Sequence, residues 1–269
     1  VATYNVHRFF DTWCESGRCA PGDYEEAPAA EQFEARADTI AAALASLDAD
    51  VVVLQEVESQ ACLDALASRL GGAFPVAVLG ELGWAASVDV AILANVELVD
   101  TRGHRNVPLH RADGGVTWFA RELVELRLGW EGRPVAVFGA HFRSMVNDDP
   151  ERRLLEARAT RAAMEATAAE LPGALVLLAG DLNDVPGSST LDALEADGGM
   201  WRVGSELTAA DAVTWGSGVS ARAFDHLYVV PGARSHYLPG SVRVVRSAGR
   251  SGLGDSDHAA VAAGFRPPP

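Results

Sequence analysis

The chain has 269 residues, 48% hydrophobic and 22% charged, enough to bury a large core in one big domain or two small ones. Its formal net charge is −15 and all 22 Lys+Arg positions are arginine, so any phosphate contact must come from Arg, a backbone N–H or a metal. That balance argues against a high-affinity nucleic-acid binder without excluding a nuclease, whose local field matters more than the sum.

In chain order, the sequence opens on a strand, TYNV, that carries Asn5. Val1 lies in that strand with neither Met nor a charged leader before it, so any export signal is expected to have been removed. A secreted or periplasmic location is expected, with the cytoplasm as the alternative. Cys14 and Cys19 flank a short loop containing Gly17 that a disulfide could close, whereas three reduced cysteines would suit the cytosol. Phe33, Ala37, Ile40, Leu44 and Leu47 step by four and three, which predicts a helix ending near Asp48. Val51 to Leu54 read as a buried strand. Leu63, Leu66, Ala67 and Leu70 predict a second helix stopped by Gly71-Gly72, with Cys62 a buried free thiol. From Pro75 to Phe142 the pattern is mostly strand: AVLG, VDVAILA, VTWFARELVELRL and PVAVFGAHF. Asp149-Pro150 signals the start of a long helix faced by Leu155, Ala159, Ala162, Ala166 and Ala169. ALVLLAGD follows as a buried strand, then a short helix near Ser189 to Leu194 and the strands FDHLYVV and HAAVAAGF. No repeat or linker interrupts this order and no apolar run approaches the roughly 18 residues of a membrane span. A single domain over 1–269 without stable membrane insertion is expected, acting as a monomer.

The strand ends share one feature. VVVLQE ends on Glu56, PVAVFGAH on His141 and ALVLLAGD on Asp181, while two further strands begin on Asp225-His226 and Asp257-His258. One polar residue at a strand end is an ordinary solvated terminus or turn former. Several carboxylates converging at one rim of a sheet repel one another unless a cation or a proton sits among them. A hard-oxygen set of Asp, Glu and Asn suits Mg²⁺, with Mn²⁺ or Ca²⁺ as alternatives, rather than a thiolate-bound zinc.

TYNV, LQEV, AHFRS, GDLNDVP, FDHLYV and SDH stand in the order and at roughly the separations of the motifs of the endonuclease/exonuclease/phosphatase superfamily, which the chain resembles from Asn5 to His258. The resemblance, to its deoxyribonuclease-like members and to secreted bacterial nucleases in particular, implies a four-layer α/β/β/α sandwich. Two mainly antiparallel sheets would pack face to face with helices outside. It also implies the site. Glu56 would be the principal metal carboxylate, with Asn5 beside it and Asp257 completing the metal or its water shell. His258 would be the general base and Asp225 would orient its imidazole, while Asp181 and Asn183 would position the water and bind phosphoryl oxygens. His141 would hydrogen-bond a phosphate oxygen or protonate the leaving group. Asp184 reads as a turn or cap residue beside Pro186 and Gly187. Asp89 could orient His141, but a turn aspartate is the better reading. His7 shares the face of Asn5, where some members of the resembled family carry an acidic residue, which weighs against a second metal.

The implied reaction is metal-dependent hydrolysis of a phosphodiester by in-line water attack. Nucleic acid, DNA or RNA, is the first substrate to consider, supported by His141 and by an arginine group at Arg102, Arg105, Arg111, Arg143, Arg152 and Arg153. Arg143, Arg105 and Arg152 are the expected substrate-binding members. The alternative is a small or lipid-borne phosphate ester, favoured by the acidic balance, for which GELGWAAS at residues 80 to 87 could form an apolar tip.

Overall fold

The computed structural model describes residues 1–268. Its first half contains β1 (Ala2–Phe9), α1 (Ala30–Ser46), β2 (Val51–Val57), α2 (Gln60–Arg69), β3 (Val76–Gly80), β4 (Asp89–Ala94), β5 (Glu97–Gly103), β6 (Leu109–His110), β7 (Val116–Thr117) and β8 (Val124–Trp130). There follow β9 (Arg133–His141), α3 (Pro150–Glu170), β10 (Leu175–Asp181), α4 (Ser189–Glu195), β11 (Trp201–Arg202), β12 (Asp225–Val229), β13 (Arg243–Val245) and β14 (Ala260–Ala262).

Two six-stranded sheets form, in the orders β13-β14-β1-β2-β4-β3 and β11-β12-β10-β9-β8-β5. Pairing within them is antiparallel except for β1 with β2 and β9 with β10. Alternation of side chains explains the layering. Ala2, Tyr4, Val52 and Leu54 face outward and bury against Ile40 and Leu44 of α1 and Leu63 and Leu66 of α2. Val53, Val90 and Ile92 point the other way and join Val137, Leu177 and Leu227 of the second sheet. Ala157 and Met164 of α3 and Leu191 and Leu194 of α4 cover that sheet's outer side. The sheets come close at Gly139, where an added Cβ would lie 3.0 Å from both Val53 and Val90. This is the α/β/β/α sandwich that the motifs imply.

The helices follow their signals. Asp149 accepts from the Arg152 amide at 3.1 Å with Pro150 in the first turn, and α2 stops before Gly71 and Gly72, both at positive φ. Cys14 and Cys19 are joined by a disulfide and Cys62 is buried and free. One expected strand is corrected. VTWFARELVELRL splits into β7 and β8, because side chains take the backbone donors in and beside the intervening loop. Glu156 accepts the Ala120 amide at 2.6 Å, and Glu122 accepts the His104 and Arg105 amides at 2.6 and 2.7 Å. Strand β5 has no apolar alternation to betray it, being largely exposed.

Candidate active site

Register brings the polar strand ends together. His141 pairs with Asp181 across β9 and β10, and Asp181 pairs with Asp225 across β10 and β12, so three side chains stand abreast on one face of the second sheet. On the first sheet, Thr3 and Gln55 hydrogen-bond to each other on the inner face, and Asn5, two residues on from Thr3, reaches across the gap. Its Nδ2 donates to Asp181 Oδ2 at 3.0 Å and to Glu56 Oε1 at 3.2 Å.

Glu56 owes its position to a bulge. Val52 and Leu54 face the helices, and strict alternation would send Glu56 the same way, but Val57 takes that place instead. Pairing with β4 shifts between Gln55 and Val57, and Glu56 adopts φ 67°. His7, Arg8 and Asn183 also have positive φ, at 58°, 46° and 50°. Four non-glycine residues in this sparse region, each costing on the order of 1 kcal/mol, mark a rim whose backbone is shaped against local preference. The strained turn holds both side chains: the His7 amide donates to the Asn5 amide oxygen Oδ1 at 2.9 Å and the Arg8 amide to the Glu56 carboxylate oxygen Oε2 at 2.8 Å.

His258 is fixed from two sides. Its Nδ1 lies 2.8 Å from Asp225 Oδ2, and its backbone N–H donates to Ser256 Oγ, which in turn donates to the Asn5 carbonyl at 2.7 Å. Its Nε2 faces Asp181 Oδ2 at 3.9 Å, and His141 Nε2 approaches the same oxygen at 3.7 Å. Burial alone would lower the His258 pKa, but the charge and hydrogen bond of Asp225, joined by Asp181, push it up to about 10. Burial and then Asp225 raise the Asp181 pKa, and burial with Arg121 and His258 holds His141 well below the usual histidine range.

Asn183 donates its backbone N–H to Asp181 Oδ1 at 2.9 Å and its side-chain amide to the Phe142 carbonyl at 3.2 Å. Asp257 stands at the exposed edge, with Trp215 Nε1 donating to Oδ2 at 2.8 Å and His7 Nδ1 3.8 Å from Oδ1. Thus Asn5, Glu56, His141, Asp181, Asn183, Asp225 and His258 form one connected group, and Asp257 joins it through His7. Asp181, Asp225 and His258 offer ligand atoms all within 4.8 Å of one another, and Asp225 Oδ1 is buried without a hydrogen-bond partner. Asn5, one hydrogen bond away from this group, and Glu56, bonded to Asn5 in turn, offer the hard oxygen atoms that suit a divalent ion.

The arginines are placed differently from the polyanion groove they suggest in sequence. Arg143 donates to the Val146 and Asn147 carbonyls, Arg105 to the Leu82 carbonyl and Arg152 to the Trp118 carbonyl. Arg111 pairs with Asp149 and Glu151, Arg102 with Asp100 and Glu170, and buried Arg153 with Asp148 and Asp184. Asp184 is therefore a structural partner as well as a turn residue. Asp89 accepts from the Leu82 amide and the Ser87 hydroxyl, so it shapes the 81–88 turn. Sequence reading missed Arg121, whose charge acts on His141, because it sits in the segment read as strand. It also missed Trp215, whose link to Asp257 spans 42 positions and leaves no local signal.

The sequence matches the model of the Endonuclease/Exonuclease/phosphatase family over residues 2–258. No curated protein matches it. Among solved structures it is similar to an endonuclease/exonuclease/phosphatase from Bacteroides vulgatus at 15% identity, covering 99% of this chain and 97% of that one with a TM-score of 0.70. It is also similar to D. rerio TDP2 complexed with single strand DNA product, at 18% identity, coverage of 98% and 97% and a TM-score of 0.67. SmcL is similar at 20% identity, with coverage of 98% and 97% and a TM-score of 0.65. The chain belongs to the Endonuclease/Exonuclease/phosphatase family.

Proposed function

We propose that the chain is a divalent-metal-dependent phosphodiester hydrolase in which water attacks phosphorus in line. The observation that carries the reading is the Asp225–His258 pair facing Asp181 across 3.9 Å, with Asn5 tying Asp181 to Glu56. Glu56, Asn5 and Asp257 are the residues proposed to hold Mg²⁺, with Mn²⁺ or Ca²⁺ as alternatives. When bound, the ion would neutralise charge developing on the phosphoryl group. Asp225 fixes the His258 tautomer so that Nε2 points at Asp181, and a water beside the two groups, within reach of both, would be the nucleophile. His141, held neutral by burial, can donate one hydrogen bond to a phosphoryl or leaving-group oxygen. The charge of Arg121 acts on it as well.

Nucleic acid is the first substrate to test, supported by His141 and by the likeness to a TDP2 structure that holds single strand DNA product. A specific observation favours a second reading, a small or lipid-borne diester: the arginines expected to track a polyanion are engaged by carbonyls and carboxylates. Incubation with Mg²⁺, Mn²⁺ or Ca²⁺ and a panel of plasmid DNA, RNA, bis-(p-nitrophenyl) phosphate and a phospholipid diester tests both. Turnover in excess EDTA overturns the metal dependence, and turnover of no substrate with any metal overturns the hydrolase reading.

A further inference from the structure

A second group of carboxylates gathers where β1 has ended and α2 begins. The Asp11 amide donates to Glu58 Oε2 at 2.6 Å, and the Ser59 hydroxyl, which also caps α2 at the Cys62 amide, donates to Asp11 Oδ2 at 2.9 Å. Farther along the same loop, which the Cys14–Cys19 disulfide closes, buried Glu25 accepts the Glu15 and Ser16 amides. Glu15 accepts the Ala86 amide at 3.4 Å. None of these side chains belongs to the catalytic group, although Glu58 follows Glu56 closely in the chain.

The charge of this group is unbalanced. Asp11, Glu15 and Glu25 all act on Glu58 with like sign, and the donors just named are backbone amides and a hydroxyl. Arg8, which shortly precedes Asp11, pairs with Glu26 instead. Glu58 is 3% exposed, and its Oε1 is buried without a hydrogen-bond partner. Such an oxygen is costly unless a cation or a proton sits on it. A proton on Oε1 would be a buried donor with no acceptor, whereas a cation needs none. Asp11, Glu58 and Cys62 each offer a ligand atom, all within 4.8 Å of one another. Oxygens bound to one Ca²⁺ at 2.3–2.6 Å stand at most about 5 Å apart, so that spacing suits it, while Mg²⁺ demands a stricter octahedron and keeps several of its waters. Cys62 spends its S–H on the Phe9 carbonyl at 3.3 Å, which leaves an oxygen set for a hard ion.

We propose that Glu58 Oε1 and the Asp11 carboxylate hold a structural Ca²⁺, separate from the catalytic ion, that pins the disulfide-closed loop to the turn between β2 and α2. Asp11 follows the His7–Arg8 turn that holds Asn5 and Glu56, so the ion steadies that turn as well. The site stands apart from the hydrolase reading, because its test needs no turnover. Glu56→Gln serves as the parent, to remove the catalytic ion, and its thermal unfolding is followed after EDTA treatment and dialysis, with Ca²⁺, Mg²⁺ or Zn²⁺ added. Ca²⁺ at about a hundred times its Kd should raise Tm by about 5–10 °C, and Mg²⁺ by much less. Adding Glu58→Gln to the parent should abolish the shift, and adding Asp11→Asn should reduce it. Without metal, the Glu58→Gln protein should unfold no earlier than the parent, since the amide removes one of the crowded charges. Tb³⁺ emission sensitised by tryptophan and displaced by Ca²⁺ reads the same site without unfolding, and it should vanish with Glu58→Gln. No Ca²⁺ shift in the parent, an equal shift after Glu58→Gln, or stabilisation by Zn²⁺ but not by Ca²⁺ would overturn the site.

Discussion

Asp225, at the start of β12 in one sheet, and His258, just before β14 in the other, meet with Oδ2 and Nδ1 2.8 Å apart. Each depends on the other: the carboxylate selects the tautomer and the imidazole gives the buried carboxylate its charge partner. Replacing either with Asn should lower kcat/KM by about 10²–10⁴-fold. The double variant should lose little more than the worse single one, since residues acting as a unit are not additive. Losses that multiply would show that the two work separately.

The same pair makes a metal-sensitive titration. Because its folded pKa is raised toward about 10, from the ordinary 6.5, His258 in the metal-free protein should be charged at neutral pH. The stability it contributes is therefore complete below 6.5 and is lost as pH rises through about 10. A divalent cation held by Glu56 beside it opposes that proton, so adding Mg²⁺ should lower the pKa followed by NMR. Glu56→Gln should abolish both this shift and the activity with the fold intact. An unchanged Mg²⁺-induced shift in the variant would remove Glu56 from the metal site.

Glu156 makes a second pH argument away from the metal. This α3 side chain accepts the Ala120 and Arg143 amides at 2.6 and 2.7 Å, and burial pushes its pKa up from 4.5 to about 7. A raised acid pKa means that the folded state holds the proton more tightly than the unfolded one. Wild-type stability should thus fall, relative to Glu156→Gln, by up to about 3 kcal/mol as pH rises from 4.5 to about 7. Urea midpoints of both proteins across that range test this, and parallel curves would refute it. At any pH the amide leaves one backbone donor facing an N–H₂ group, costing about 1–3 kcal/mol.

Much of the site was legible because a polar residue that ends an apolar run has few structural uses. Glu56, His141 and Asp181, which end apolar runs, and Asp225, which opens one, were readable on that ground, whereas the place of Asn5 and the two-sheet fold came from the family resemblance. The rest depends on contacts far apart in sequence. Nothing local to Arg105 or Arg152 says that carbonyls 23 and 34 positions away will take their guanidinium groups. The bulge at Glu56 is likewise invisible, since LQEV reads as an unbroken strand. The exposed strand β5 and the loop holding Arg121 lack the alternation that sequence reading needs.

Those arginine contacts change what salt should do. A nuclease that holds its polymer through several free arginines loses affinity with a slope near −0.9 per phosphate neutralised, whereas a site whose rim arginines are already engaged neutralises few. DNA cleavage, if present, should therefore follow salt with a log–log slope shallower than about −2 between roughly 50 and 200 mM. Arg105→Gln with Arg152→Gln releases the Leu82 and Trp118 carbonyls and loosens the loops around the pocket. Cleavage of DNA and of bis-(p-nitrophenyl) phosphate should then fall in equal proportion. A steep slope, together with selective loss of DNA cleavage in that variant, would mean that both side chains leave their carbonyls to bind the polymer, and the nuclease reading would prevail over the lipid one.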